Sequence, residues 1–132
     1  MINAKILHID ENHNLLIEGL ELLGYQNVLA YNTPLIKLLL KLKQYEGIVI
    51  RSRFPINKEF IDAAVQLKFI ARVGAGLENI DVSYAEKKGI NLITAPEGNR
   101  NAVGEHALGM LLGLLNKIRL GHESIREGFW HR

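Results

Sequence analysis

The sequence predicts an α/β fold: a flavodoxin-like, doubly wound parallel sheet of about five strands, followed by a long C-terminal helix. Short apolar runs of strand length alternate with segments whose leucines recur at helical spacing. One run, Gly47–Ile50 (GIVI), has no polar position, which is typical of a strand buried on both faces of a parallel sheet. This alternation favours βαβ units with right-handed crossovers.

Three strands and two helices are predicted in the first half of the chain. The strands are residues 5–9, 28–30 and 47–50. Residues 11–23 form the first helix and Gly24 ends it; its apolar face carries Leu15, Leu16, Leu20 and Leu23. In the second helix Pro34 takes the first position, with Asn32 or Thr33 as the N-cap. Its apolar face carries Leu35, Leu38, Leu39 and Leu42.

The second half continues the alternation. Residues 57–66 are predicted to form a helix, and the apolar run Phe69-Ile70-Ala71 the fourth strand. Asp81 is suited to cap a helix over residues 82–88, which Gly89 closes. Residues 90–94 form the fifth strand.

A long helix is predicted over residues 101–119. Its apolar residues cover most of its circumference, which predicts burial on nearly every side. Residues 123–127 then form an amphipathic turn that ends at Gly128.

Composition restricts the class of protein. A chain of 132 residues, 48% hydrophobic, suits one globular domain with a real core. Its 16 Lys and Arg against 14 Asp and Glu give a net charge of +2, too balanced to predict a nucleic-acid-binding surface. There is no cysteine, and the five histidines lack metal-binding spacing, so no metal site is predicted. Without a signal-peptide core or a membrane-length apolar stretch, we expect a soluble, cytoplasmic protein.

The most distinctive stretch follows the fourth strand and reads Val73-Gly74-Ala75-Gly76. Two glycines around a small residue let a ligand approach the backbone, whose N–H groups can bind an anion. A dinucleotide fingerprint would need a third glycine, opening a helix, where Asn79 stands. The pattern therefore predicts an anion-binding turn, with a plain structural turn as the alternative.

Ligands of such sheets bind beyond the carboxyl ends of the strands. Three loops are predicted at this edge: residues 51–53 (RSR), 73–77 and 96–102. Arg51 and Arg53 lie two residues apart, so in an extended segment they share a face and can converge on one anion. Guanidinium groups form paired hydrogen bonds with phosphate oxygens. The alternative is that both arginines only keep a strand end soluble.

Three segments together carry a family resemblance: RSR, RVGAGLENID and NLITAPEGNRNAVGEHALGMLLGLL. They resemble the N-terminal part of D-2-hydroxyacid dehydrogenases, in register over about residues 47–132 and only weakly before Tyr45. The resemblance implies that residues 1–100 are the substrate-binding (catalytic) domain. It also implies that residues 101–132 are the interdomain helix and the start of a dinucleotide-binding domain whose remainder is absent.

The resemblance also implies a substrate site. Val73, Gly74 and Ala75 correspond to residues whose backbone N–H groups bind the substrate carboxylate. The Arg51-Ser52-Arg53 loop corresponds to the one that faces the phosphate in phosphoglycerate-using members. Trp130 and Arg132 match a W-x-[RK] segment whose basic residue reaches a neighbouring subunit's site.

NAD is the cofactor that the resemblance implies. Ala75 corresponds to the place where the turn approaches the nicotinamide, and Asn99 and Val103 match an N-x-x-x-V pattern near the cofactor cleft. The catalytic histidine, its carboxylate partner, the catalytic arginine and the GxGxxG loop lie in the family's dinucleotide-binding domain. We therefore expect no catalytic residue in this chain, a truncated and inactive chain, and NAD bound mainly by the absent domain.

The resemblance places the helix over residues 102–118 between domains and at a subunit contact. Without its neighbours this helix would expose leucines, so we expect self-association and a homo-oligomer formed through the C-terminal helix region.

Two other functions stay open at the level of sequence. One is a different D-2-hydroxyacid dehydrogenase, such as a glycerate or hydroxypyruvate reductase. The other is a receiver-like signalling module, since Asp10 and Glu11 follow the first strand as its acidic pair would. However, the third strand ends in Ile50-Arg51 without a phosphoacceptor aspartate, and Thr94 ends the fifth strand where a lysine would be needed.

Overall fold

The structure is a computed structural model that describes residues 4–130. It divides into two units, Met1–Pro96 and Glu97–Arg132. Within residues 4–130, the first unit contains one sheet of five parallel strands in the order β2-β1-β3-β4-β5. The strands are β1 (Lys5–His8), β2 (Gln26–Leu29), β3 (Gly47–Ile50), β4 (Phe69–Arg72) and β5 (Asn91–Ile93). This order is flavodoxin-like, so the predicted fold class is confirmed.

Helices connect the strands. In the described part of the first unit they are α1 (Asn14–Leu22), α2 (Leu35–Leu39), α3 (Lys58–Ala63) and α4 (Val82–Lys87), with a 3-10 turn at Leu42–Gln44. Side chains alternate along β1, because successive Cβ atoms of a strand point to opposite faces. Leu7 and Ile9 join the main apolar cluster, which also contains Leu38 of α2, Phe60 of α3 and Ala85 of α4.

Strand β3 is the middle of the sheet. It pairs with β1 on one side and with β4 on the other, and all four of its residues are buried, as predicted. Gly47 is required by packing, because a Cβ at this position would overlap the ring of Phe69 on β4. The strand therefore offers no polar side chain until the chain leaves the sheet at Arg51.

Side-chain caps start three of the helices. Asn57 accepts a hydrogen bond from Phe60 N at 3.0 Å, and Asp81 accepts one from Tyr84 N at 3.1 Å, so α4 begins as predicted. Helix α1 begins at Asn14 rather than at residue 11, with His13 as its N-cap. The predicted start is wrong because the Asn12 side chain turns inward and donates to Asp10 O at 2.7 Å, which holds residues 10–12 in a turn.

Two further helix boundaries differ from the prediction. Pro34 is the N-cap of α2 and makes no side-chain capping bond, so Asn32 and Thr33 do not serve as caps. Helix α3 ends at Ala63, because Ala64 leaves the helical conformation with φ −97° and ψ 59°. The predicted apolar face of α2 is confirmed, since Leu38 and Leu42 are buried in the main cluster.

The second unit is helical. A 3-10 turn (Pro96–Gly98) leads from the first unit into α5 (Arg100–Leu115), and α6 (Ile118–Arg126) follows. The single predicted helix is interrupted because Asn116 donates its side-chain amide to Leu112 O at 2.9 Å and Lys117 takes a left-handed φ of 49°. No residue of α5 is buried, so the predicted all-round burial is wrong for this chain. No helix in residues 4–130 is long and apolar enough to cross a membrane.

His8 is a buried polar side chain inside the sheet. Its Nε2 lies 2.8 Å from Asn27 Oδ1 on β2, and Asn27 in turn donates to Ile17 O of α1 at 3.0 Å. The other ring nitrogen, Nδ1, has no hydrogen-bond partner in the part of the chain that the structure describes. Burial lowers the pKa of the His8 imidazole below its ordinary value, although the hydrogen bond to Asn27 opposes this shift. His8 is therefore held as the neutral imidazole.

This environment predicts a pH-dependent stability. The unfolded chain binds a proton at His8 with a pKa of about 6.5, more tightly than the folded chain does. The stabilisation is therefore complete above that value and is lost as the pH falls towards the lower folded-state pKa. We expect urea unfolding between pH 7.5 and 5.5 to show a smaller loss of unfolding free energy for His8→Leu than for the wild type.

The matched control is His122→Gln, because His122 is exposed on α6. It should keep the wild-type pH dependence. Equal slopes for the wild type and His8→Leu would contradict the assignment of a neutral, buried His8.

Candidate functional site

Two loops leave neighbouring strands at the carboxyl edge of the sheet and are tied together at both ends. Ile50 and Arg72 are register partners, and Val73 N donates to Ile50 O at 2.9 Å. At the far end Ile56 forms a parallel bridge with Ile80, in which Ile56 N donates to Asn79 O at 2.7 Å. The loop after β3 and the glycine turn after β4 are thus held as one edge.

Arg53 faces inward within this edge. Its Nη1 donates to the carbonyls of Ile9 (3.1 Å), Ala30 (3.1 Å) and Tyr31, and its Nη2 donates to Thr33 O at 3.0 Å. These carbonyls lie just beyond the ends of β1 and β2, where the ladder no longer pairs them. Arg53 therefore joins the chain segments that follow two strands, and its predicted contact with a phosphate stays a prediction.

Arg51 and Ser52 face outward. Both are exposed, and neither the Arg51 guanidinium nor the Ser52 hydroxyl has a partner among residues 4–130. The backbone of Arg51 is nonetheless fixed, because its N–H donates to Asp10 Oδ2 at 2.6 Å. Of the two arginines predicted for the anion site, the one with an available guanidinium is Arg51.

Arg72 is a cation of this edge that the sequence reasoning missed. Its Nε donates to Arg51 O at 3.2 Å, and its Nη2 lies 3.6 Å from Glu78 Oε2. The Arg72 side chain is 19% exposed and lies over Gly74, where its guanidinium fills the position that a Cβ would take. The signal was present in the sequence: a charged residue ends an apolar strand immediately before the glycine turn.

The glycine turn has a limited supply of free donors. Val73 N–H is used in the contact with Ile50, and Gly74 N donates to Arg72 O at 2.9 Å. In the described chain the N–H groups of Ala75 and Gly76 make no hydrogen bond. The available donors are therefore those of Ala75 and Gly76, while the carboxylate-binding role predicted for Val73 and Gly74 stays a prediction.

The turn does not fit the pyrophosphate of a dinucleotide. After the glycines the chain enters the bridge at Ile80 instead of a helix, and the Asn79 side chain donates to Phe54 O at 3.2 Å. Helix α4 begins only at Val82, and the Asp81 carboxylate already caps it. The described residues therefore lack the glycine-lined helix start that holds a pyrophosphate.

The remaining predicted residues lie in the second unit. Asn99 is the N-cap of α5 without a side-chain capping bond, and Val103 is exposed one turn later. Trp130 is 73% exposed and borders a cleft of about 460 Å³ between α6 and the residues that follow it. Arg132 lies outside the described residues. Their cofactor and substrate roles stay predictions. Within residues 4–130 no cluster of side chains could hold a metal ion.

The chain matches the family model described as "D-isomer specific 2-hydroxyacid dehydrogenase, catalytic domain" over residues 9–128. A D-3-phosphoglycerate dehydrogenase of Archaeoglobus fulgidus is 40% identical over 96 residues, which is 73% of this chain and 18% of that protein. One of Methanocaldococcus jannaschii is 35% identical over 129 residues, which is 98% of this chain and 24% of that protein. The chain thus spans less than a quarter of the length of these relatives.

Solved structures agree with the sequence relatives. The NAD+-bound 3-phosphoglycerate dehydrogenase of Entamoeba histolytica superposes with a TM-score of 0.67 at 31% identity, over 84% of this chain and 39% of that chain. The family resemblance read from the three loops is confirmed, since the family model matches most of the chain. The chain belongs to the family of D-isomer specific 2-hydroxyacid dehydrogenases.

Proposed function

We propose that this chain is the substrate-binding portion of an NAD-dependent D-3-phosphoglycerate dehydrogenase, which oxidises 3-phospho-D-glycerate to 3-phosphohydroxypyruvate in serine biosynthesis. The observation that carries the proposal is the edge where the Arg72 guanidinium lies over Gly74 and donates to Arg51 O, next to Ala75 and Gly76, whose N–H groups make no hydrogen bond in residues 4–130. Relatives named D-3-phosphoglycerate dehydrogenase support it.

The two kinds of donor suit the two ends of the substrate. Backbone N–H groups of Ala75 and Gly76 are fixed by the turn and bind a carboxylate without any side-chain ordering cost. Guanidinium groups bind phosphate oxygens with charge-assisted, paired hydrogen bonds. The Arg53 guanidinium already donates to backbone carbonyls, so we assign phosphate binding to Arg51 and Arg72.

NAD accepts the hydride in this reaction. The glycine turn does not fit its pyrophosphate, so we propose that NAD is bound mainly by residues outside this chain. No residue of this chain is assigned the general base, because the family resemblance places the catalytic histidine in the dinucleotide-binding domain.

A second candidate is an unphosphorylated hydroxy acid, as in a glycerate or hydroxypyruvate reductase. It is favoured by the contact between Arg72 and Glu78, which leaves Arg51 as the guanidinium at this edge without a partner in the described chain. One guanidinium and two N–H groups would suffice for a substrate with a single anionic end.

Direct binding separates these candidates. We expect 3-phosphoglycerate to shift the amide resonances of Ala75 and Gly76 in NMR titrations of the labelled chain, and glycerate to bind more weakly. Arg51→Gln and Arg72→Gln should each weaken binding of 3-phosphoglycerate roughly 10- to 100-fold, because a charge-assisted hydrogen bond is lost. Arg126→Gln, at an exposed arginine of α6 outside the three predicted ligand loops, is the matched control and should bind as the wild type does.

Equal affinities for glycerate and 3-phosphoglycerate would favour the second candidate. Arg53→Gln tests the other role, because it removes the side-chain donor that links carbonyls beyond β1 and β2. We expect it to lower the melting temperature more than Arg51→Gln does.

The chain alone should not catalyse the oxidation. With NAD and 3-phosphoglycerate we expect no rise in absorbance at the NADH wavelength above a protein-free blank. Turnover by this chain alone would show that the catalytic centre lies within it and would refute the proposed division of the protein.

We further propose that α5 forms a homo-oligomer contact, because its leucines are exposed along its length. Sedimentation velocity should show concentration-dependent self-association of the wild type. Leu111→Glu and Leu115→Glu, at positions one turn apart on the same side of the helix, should reduce this self-association. Leu22→Glu, at a leucine of α1 that is 89% exposed, is the control and should behave as the wild type does. A monodisperse wild-type monomer would contradict this proposal.

A further inference from the structure

Asp10 follows β1 at the carboxyl edge and has no role in the proposed function so far. Its Oδ2 accepts a hydrogen bond of 2.6 Å from Arg51 N, the first residue after β3. The β1–β3 ladder runs up to this point, because Ile9 N donates to Val49 O at 2.9 Å. The Asp10 carboxylate therefore adds one hydrogen bond between the two segments directly beyond the end of the β1–β3 ladder. A hydrogen bond with an ionised acceptor is stronger than one between neutral groups.

Asn12 holds Asp10 from the other side. Its Nδ2 donates to Asp10 O at 2.7 Å, and Asn12 is only 7% exposed. A buried amide at this place restricts the backbone that carries the Asp10 carboxylate. The neighbouring acid, Glu11, is exposed and has no partner among residues 4–130.

Arg53 ties the same loop to β1 from the opposite direction. It donates to Ile9 O, the carbonyl immediately before Asp10, at 3.1 Å. The loop after β3 is thus bound to the end of β1 through the N–H of Arg51 and through the side chain of Arg53. Between these two anchors, the Arg51 side chain and Ser52 are the parts that face outward.

We propose that Asp10 is a positioning residue of the anion site, which orders the Arg51–Arg53 loop and also weakens the attraction of that loop for anions. The proposal rests on the proposed function in one respect, namely that Arg51 binds the substrate's phosphate. The Asp10 oxygen holds the Arg51 backbone, whereas its negative charge lies against the loop whose guanidinium attracts the anion. The hydrogen bond of Asp10 therefore favours anion binding and its negative charge opposes it. Substitutions that keep or remove the acceptor oxygen separate the two effects.

Asp10→Asn keeps an acceptor oxygen and removes the charge, while Asp10→Ala removes both. We expect Asp10→Asn to bind 3-phosphoglycerate about 3-fold more tightly than the wild type, since an opposing charge is gone. Asp10→Ala should bind about 10-fold more weakly, because the loop loses its anchor. Glu11→Gln and Glu11→Ala are the matched controls and should both stay within about 2-fold of the wild type.

A second measurement needs no ligand. The Arg51 amide proton should exchange with solvent more slowly in the wild type than in Asp10→Ala, because the variant loses the hydrogen bond that this amide donates to the carboxylate. Asp10→Ala should also lower the heteronuclear NOE of the Arg51, Ser52 and Arg53 amides, which Glu11→Ala should leave unchanged. An Arg51 amide that exchanges equally fast in the wild type and in Asp10→Ala overturns the proposal.

The outcomes of the two measurements are distinguishable. If Asp10→Asn and Asp10→Ala lost affinity for 3-phosphoglycerate equally, the claim that the charge of Asp10 opposes anion binding would be wrong. If neither variant changed the affinity, the claimed effects of the Asp10 hydrogen bond and of its charge would both be wrong. If the wild type bound neither 3-phosphoglycerate nor inorganic phosphate, the proposed function would be wrong, and so would the changes in affinity expected for the Asp10 variants. The exchange rate of the Arg51 amide and the NOE values would then still support or overturn the ordering of the loop by Asp10.

Discussion

The constraint on which the site depends is the complete burial of β3. Gly47–Ile50 is paired on both sides and covered on both faces, so none of its side chains can be polar and exposed. The first polar groups of this segment therefore appear where the strand ends, at Arg51. Because β4 is in register with β3, its own last residue, Arg72, arrives at the same level. In a parallel sheet with a buried centre, polar side chains are thus brought together at the edge where the strands end. In this chain, Arg51 and Arg72 are brought together there.

Three arginines at this edge have three different surroundings, and those surroundings decide what each can do. The Arg53 guanidinium donates hydrogen bonds to backbone carbonyls that follow β1 and β2. Arg72 lies over the glycine turn and faces a carboxylate of the same loop. Arg51 has a fixed backbone and an available side chain. A guanidinium carries several donors, so it can satisfy structure and ligand at once, but each donor that a carbonyl takes is lost to an anion.

The sequence was sufficient for the features that depend on local patterns. The five strands and the cap Asp81 follow from apolar runs and from capping chemistry, and they are present. The direction of Arg53 was not predictable, because two residues in an extended segment share a face only until the chain turns. Its acceptors lie 20 to 44 residues away in the sequence, so no local pattern contains them. The early end of α5 likewise depends on one side chain, Asn116, competing for a helix carbonyl.

The glycine turn shows why a pattern of glycines is ambiguous on its own. The pair Gly74 and Gly76 is compatible with a dinucleotide loop, an anion-binding turn and a plain turn. A Cβ at Gly74 would overlap the guanidinium of Arg72, and a Cβ at Gly76 would overlap the carboxylate of Glu78. The absent side chains therefore make room for two charged groups of the same chain, 3.6 Å apart. Since these groups lie against the backbone that carries the free N–H donors, an anion that binds there meets Arg72 as a partner and Glu78 as a competitor. The ion pair and the N–H donors beneath it explain why residues 74 and 76 are glycines. A bound dinucleotide is not needed to explain these glycines.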